Sequence, residues 1–213
     1  MADTRPCIWV LAGTNGAGKS SIAGALLRAS GGEYFNPDEA ARRIREFQPA
    51  LAQKAANAQA WALGVQKLDE ALRSRRDYFF ETTLGGSTIT TRLQRALDSD
   101  FDVRIWYAGL ASPELHLARI AARVRGGGHD IPEADVRRRF DVSRRNLIKL
   151  LPRLSELKLF DNSNEGDPKR GKAPRPRLLL HWRDGQILAP ANLQRTPDWA
   201  KPIVAQALKR RRR

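Results

Sequence analysis

Cysteine occurs once in this chain of 213 residues, as Cys7, and histidine only three times. A single cysteine excludes an intramolecular disulfide and any cysteine-cluster metal site. Its neighbours Ile8, Trp9 and Val10 mark it as a buried structural thiol. Long apolar runs are also missing, since none approaches the roughly 20 residues that a membrane-spanning helix needs. The first run, Cys7–Gly13, follows Asp3 and Arg5, is too short for the core of a signal peptide and has no cleavage site behind it. The expectation is a soluble, cytoplasmic protein with no membrane partner. Acidic residues are scarce beside basic ones, 23 against 38, for a formal charge of +15. With 41% hydrophobic residues the chain can still bury a sizeable core, so wholesale disorder is excluded.

The basic excess is uneven. Residues 165–177 carry +3 and Lys209–Arg213 carry +5, which leaves +7 for the other 195 residues. Such a surface attracts polyanions, whether nucleic acid, anionic lipid or phosphorylated small molecules, and it also suits a merely solvated arginine-rich face. No basic face with interleaved aromatics is legible, which ranks nucleic acid low as a partner.

Apolar runs and helical spacing alternate along the first three quarters of the chain. Cys7–Ala12, Glu33–Phe35, Asp77–Thr82, Phe101–Leu110 and Leu157–Phe160 read as strands. Ser20–Ala29, a helix opening at Asn36-Pro37-Asp38-Glu39, Leu51–Arg75, Thr88–Leu97, a helix from Ser112-Pro113-Glu114 to the glycines 126–128, and Pro132–Leu151 read as helices. This order predicts an α/β fold, a three-layer sandwich around a mostly parallel sheet of five to six strands. Beyond Asn164 the texture changes. Glu165–Arg177 reads as a basic linker or exposed loop, Arg177–Trp182 and Gln186–Leu188 as a hairpin about Asp184-Gly185, and Trp199–Leu208 as a final helix. The expected organisation is a core over residues 1–164 and a segment over 165–213 packed on or extending it.

Gly13-Thr14-Asn15-Gly16-Ala17-Gly18-Lys19-Ser20 fits G-x-x-x-x-G-K-[ST], between a strand and a helix as that motif requires. Its glycines let backbone amides turn inward around phosphate oxygens, and the helix start adds partial positive charge. Lys19 would reach the terminal phosphates, and the Ser20 hydroxyl is the metal ligand for Mg²⁺. The nucleotide-binding set is Gly13, Asn15, Gly16, Ala17, Gly18, Lys19, Ser20 and Ser21. The donor is ATP, with GTP an open alternative. Guanine recognition by Asn-Lys-x-Asp is absent, and Thr83-Leu84-Gly85-Gly86-Ser87 only superficially resembles a transporter-ATPase signature.

Two further features favour a kinase. Asp38, past the second strand, suits a base that takes a proton from an acceptor hydroxyl, and suits equally an acid that complements a helix dipole. Spacing leaves both readings open. Leu115–Arg125, the glycines 126–128, His129 and a second basic helix with Arg137–Arg139 read as a lid over 123–139, because mobile arginines can close over a transferring phosphoryl group. His129 reads as structural or lid-positioning. Asn162, after the last parallel strand, reads as a turn residue or as a neighbour of the base-binding loop.

Together, Gly13–Ser20, Phe35-Asn36-Pro37-Asp38, Phe80-Glu81-Thr82-Thr83 and Leu110–Pro132, with Gly127-Gly128-His129-Asp130-Ile131-Pro132 the most distinctive string, resemble the bacterial zeta toxin-like kinases. The resemblance covers residues 7–162. It implies ATP-dependent phosphorylation of a sugar hydroxyl, UDP-N-acetylglucosamine being the first acceptor, and a small helical antitoxin as partner; the alternatives are a kinase of another nucleotide, nucleotide cofactor or sugar and, ranked lower, a nucleotide-gated nucleic-acid-binding ATPase. By position it assigns Lys19, Asp38 and Arg123 to catalysis, with Asp38 the base, and Asp38, Glu81 and Thr83 to the acceptor. The family's second lid arginine has no clean counterpart, His129 falling near its place, and Arg139 is taken for that catalytic role. Arg125 and Arg138 are alternatives to Arg139 for the second lid arginine. The family's acid-Gly-Thr-x-Arg pattern appears here as Glu81-Thr82-Thr83-Leu84-Gly85, without its arginine.

Overall fold

A computed structural model describes residues 5–30, 34–164 and 176–209. Glu33, most of the basic segment (165–175) and the last four arginines lie outside the described residues.

The first strand, β1 (Cys7–Ala12), is buried at all six positions. An unbroken apolar run of this kind suits a strand covered on both faces. It pairs in parallel with β3 (Tyr78–Thr82) on one side and β4 (Asp102–Gly109) on the other, with Ile8 opposite both Tyr78 and Val103. The short β2 (Tyr34–Phe35) and β5 (Glu156–Asp161) extend the parallel sheet outward. Beyond β5 the antiparallel hairpin β6 (Arg177–Arg183) and β7 (Gln186–Ala189) joins the same sheet, giving the order β2-β3-β1-β4-β5-β6-β7. Among the described residues the sheet therefore has seven strands against the five to six expected, because the hairpin pairs along the edge of β5.

The two faces of β1 sort the layers. Ile8, Val10 and Ala12 enter the main core with Ile105, Tyr107, Leu157 and Trp182. That core is closed by α3 (Gln53–Ser74), α4 (Ser87–Asp98), α6 (Glu133–Leu150) and α7 (Lys201–Lys209), through Leu68, Leu93, Leu147 and Ile203. Cys7, Trp9 and Leu11 face the opposite way, toward Ile22 and Leu26 of α1 (Ser20–Ser30). Burial pushes the Cys7 thiol up to about 12, which makes it a packing residue and not a nucleophile. Trp199, in the short 3₁₀ turn that precedes α7, packs against Tyr107 with ring centroids 6.5 Å apart. Among the described residues no helix is long and apolar enough to cross a membrane.

Candidate active site

Parallel strands deliver their carboxyl ends to one edge, and the site is assembled there. β1 runs directly into the loop Gly13–Lys19. Gly13 sits at φ +143, and a Cβ there would lie 2.3 Å from the carbonyl oxygen of Ala108 on β4, so only glycine fits. Gly18 sits at φ +72, where a Cβ would meet the Asn162 side-chain nitrogen at 2.3 Å. That approach is functional: Asn162, 3% exposed after β5, donates from Nδ2 to the Ala17 carbonyl at 2.9 Å and fastens the phosphate loop to the neighbouring strand. Arg119 donates to the Asn162 carbonyl at 2.8 Å. Asn162 thus lies against the phosphate loop, a contact that neither the turn reading nor the base-binding-loop reading names.

A second strut comes from α5 (Pro113–Arg125). His116, 1% exposed, meets the Asn15 carbonyl oxygen through Nδ1 at 2.7 Å. A carbonyl only accepts, so Nδ1 carries the proton. Burial lowers this imidazole from 6.5 to about 4, the Asn15 contact opposing the shift, so His116 is neutral.

Lys19 is also buried. Its Nζ donates to the Gly13 carbonyl at 2.8 Å and pairs with Glu81 Oε1 at 3.3 Å, with the Glu81 side chain 13% exposed. The other Glu81 oxygen accepts from the Tyr34 hydroxyl, and from Asn36 Nδ2 at 3.4 Å. Burial, then the Glu81 charge, push the Tyr34 hydroxyl well above its ordinary value, so it stays a donor. Asn36 Oδ1 caps α2 (Pro37–Phe47) by accepting from the amides of Asp38 at 2.8 Å and Glu39 at 3.3 Å. Asp38 is exposed at that helix start. Ser20, the first residue of α1, is exposed as well. Among the described residues no group of three or more His, Cys, Asp or Glu could hold a metal. A metal here would rest on Ser20 and the nucleotide's own oxygens.

Asn15, Lys19, Asp38, Glu81, Thr83 and Arg139 all line one open cavity of about 1050 Å³. Its far wall is the half-exposed Trp61 with Lys54 and Asn57, and its roof is the stretch Gly127–Pro132 with Arg138. Arg139 donates to Asn15 Oδ1 at 2.8 Å and pairs with Asp135 at 3.1 Å. Arg123 is not among the residues of this wall. Its guanidinium turns back to donate to the His129 carbonyl at 2.9 Å, and its Nε is buried without a partner. The expected lid span, 123–139, divides into two kinds of structure. From Glu133 onward it is α6, whose Ser143 donates to the Thr83 carbonyl at 2.6 Å and whose Asn146 donates to the Leu84 carbonyl at 2.8 Å.

Tyr34, Trp61, His116 and Asn146 were not read from the sequence. His116 and Ile120 share the buried face of α5 at a four-residue spacing, a signal that ordinary core packing also produces. Trp61 stands alone in an alanine-rich helix, and nothing in its neighbours announces a cavity wall.

A parallel sheet whose central strand feeds a glycine-rich loop into a helix, with acids and arginines gathered around the loop's lysine, defines a phosphate-loop α/β protein of the kinase type. The chain belongs to the zeta toxin family, whose family model matches residues 1–165. An uncharacterised protein of Haemophilus influenzae is 32% identical over 143 residues, 64% of this chain and 99% of that protein. Among solved structures, the AvrRxo1-ORF1:AvrRxo1-ORF2 complex with sulphate ions superposes with a TM-score of 0.66 at 16% identity, covering 96% of this chain. This chain spans 64% of the length of that AvrRxo1 chain. The PezAT chromosomal toxin–antitoxin system of Streptococcus pneumoniae superposes with a TM-score of 0.59 at 13% identity, over 98% of this chain and 86% of that one. At such identities the superpositions speak to the fold.

Proposed function

We propose that this protein is a Mg²⁺-ATP-dependent kinase that phosphorylates a hydroxyl of a small metabolite, UDP-N-acetylglucosamine being the first acceptor. The observation that carries the reading is the one cavity shared by Lys19, Asp38, Glu81 and Thr83, so that the phosphate-loop lysine and an exposed carboxylate border the same space. Its volume, and the Trp61, Lys54 and Asn57 wall, suit a sugar nucleotide: an indole can stack on a base while an ammonium meets a diphosphate. The AvrRxo1 complex has also been solved with ATP, which favours ATP as donor.

In this mechanism the loop amides of Gly13–Lys19 cradle the triphosphate, and Lys19 leaves Glu81 to meet the terminal phosphates. Ser20, with the phosphates, would hold a Mg²⁺, which would supply charge neutralisation there. Asp38 accepts the acceptor's hydroxyl proton as its oxygen bonds to the γ-phosphorus and the bond to ADP breaks. Glu81 and Thr83 orient the sugar. Arg139 steadies the transferring group from the loop side, and Arg123 joins it when the hinge at residues 126–132 closes and swings its guanidinium off His129. A small helical antitoxin is the proposed partner, since both structural relatives named above are complexes or systems of two proteins.

Two variants test the roles. Lys19→Ala and Asp38→Ala should each abolish transfer, while calorimetry should find ATP binding lost in the first and nearly intact in the second. Equal loss of ATP affinity in both would remove Asp38 from the role of base.

A further inference from the structure

We propose that Asn36 is a positioning residue, which holds the Asp38 carboxylate in register with Lys19 by clamping the start of α2 to Glu81. The inference rests on the phosphotransfer reading above. Asn36 spends both ends of its amide. Its Oδ1 accepts from the backbone amides of Asp38 and Glu39, which fixes the first turn of α2. Its Nδ2 reaches Glu81 Oε2 at 3.4 Å, on the carboxylate whose other oxygen is 3.3 Å from Lys19 Nζ. The Tyr34 hydroxyl shares Oε2, so this oxygen takes two donors from the segment leading into α2, and Oε1 is left for the lysine.

Capping alone does not require asparagine. Serine, threonine and aspartate cap a helix about as well, because the cap needs only an acceptor. Aspartate here would bring a second carboxylate against Glu81, and serine is too short to reach it. The amide donor is therefore what asparagine adds, and that donor points at Glu81 and not at the helix. Asp38 stands on an exposed helix start, tied inward through its own amide to Asn36. The covalent path from Lys19 to Asp38 crosses α1 and residues 31–33, whereas the path through Glu81 and Asn36 is two side chains long. A clamp of this kind matters for catalysis, since a base displaced by about 1 Å can cost about a hundredfold in rate.

Asn36→Ser keeps the cap acceptor and removes the clamp, and Asn36→Ala removes both. The expected result is an Asn36→Ser enzyme with wild-type melting temperature and wild-type KM for ATP, but with kcat lowered by about a hundredfold. In a Glu81→Ala background the same substitution should add little further loss, because its partner is already gone. Wild-type kcat in Asn36→Ser, with only stability lost in Asn36→Ala, would overturn the proposal and leave a simple cap. Rates are read as transfer to UDP-N-acetylglucosamine and, in parallel, as ATP hydrolysis by water. Hydrolysis without transfer would sink the acceptor assignment alone, and the variants would then be judged by the same kcat criterion on hydrolysis. A wild-type protein that performs neither reaction overturns both the phosphotransfer reading and the role of Asn36.

Discussion

His116 shows how a single buried side chain sets conditions for a site it does not enter. Its imidazole stays neutral to about pH 4 in the folded protein, against an ordinary 6.5. Folded pKa below unfolded pKa means that acid favours the unfolded chain, so the His116 contribution is complete above 6.5 and is lost as pH falls through that window. Between about pH 7 and about pH 5 the cost should be about 2 kcal/mol. Denaturant melts at the two pH values should find it, and His116→Gln, which cannot titrate, should flatten the difference. An unchanged difference in the variant would contradict this assignment. The phosphate-loop motif singled out Lys19 and Ser20, and the resemblance singled out Asp38, Glu81 and Thr83; the fold brings Lys19, Asp38, Glu81 and Thr83 to one cavity. His116, Tyr34 and Trp61 were not legible in the sequence, because each acts through a neighbour far along the chain, and spacing reports only faces of its own element.

At the scale of elements, helix and strand order was legible because apolar runs and helical periods alternate with clear capping residues such as Asn36 and Ser112. What was hidden is how the basic helix pair packs. Within the expected lid span 123–139, Ile131 and Val136 are buried with Ile120 in a small cluster separate from the main core, while Leu147 and Leu150 of α6, beyond that span, enter the main core. The loop after β3 depends on that packing. Leu84 holds φ +53, a left-handed conformation that costs a non-glycine residue on the order of 1 kcal/mol. Asn146 secures this turn by donating to the carbonyls of Leu84 at 2.8 Å and Gly86 at 3.2 Å. Asn146→Leu should cost about 2 kcal/mol in a denaturation experiment, since both carbonyls lose a buried donor. A stability within a few tenths of a kcal/mol of wild type would show that the turn is secured elsewhere.

Across the whole molecule the division at residue 164 is weaker in space than in composition. The change of texture after Asn164 is real in sequence, but Leu180, Trp182, Ile203 and Val204 from the later segment enter the same core as Ile8 and Ile105. Sequence composition reports where a surface becomes basic; it does not report a strand pairing such as Leu159 opposite Leu180, which depends on partners in the earlier segment. The molecule is thus organised as a sheet that presents one loaded edge, and the account stands on what that edge does. Incubating the purified protein with Mg²⁺-ATP and UDP-N-acetylglucosamine, and weighing the sugar nucleotide by mass spectrometry, tests this most directly. The account predicts one added phosphoryl group, absent with Lys19→Ala. An unmodified sugar nucleotide would contradict the acceptor, and failure of the protein to bind ATP at all would contradict the central claim.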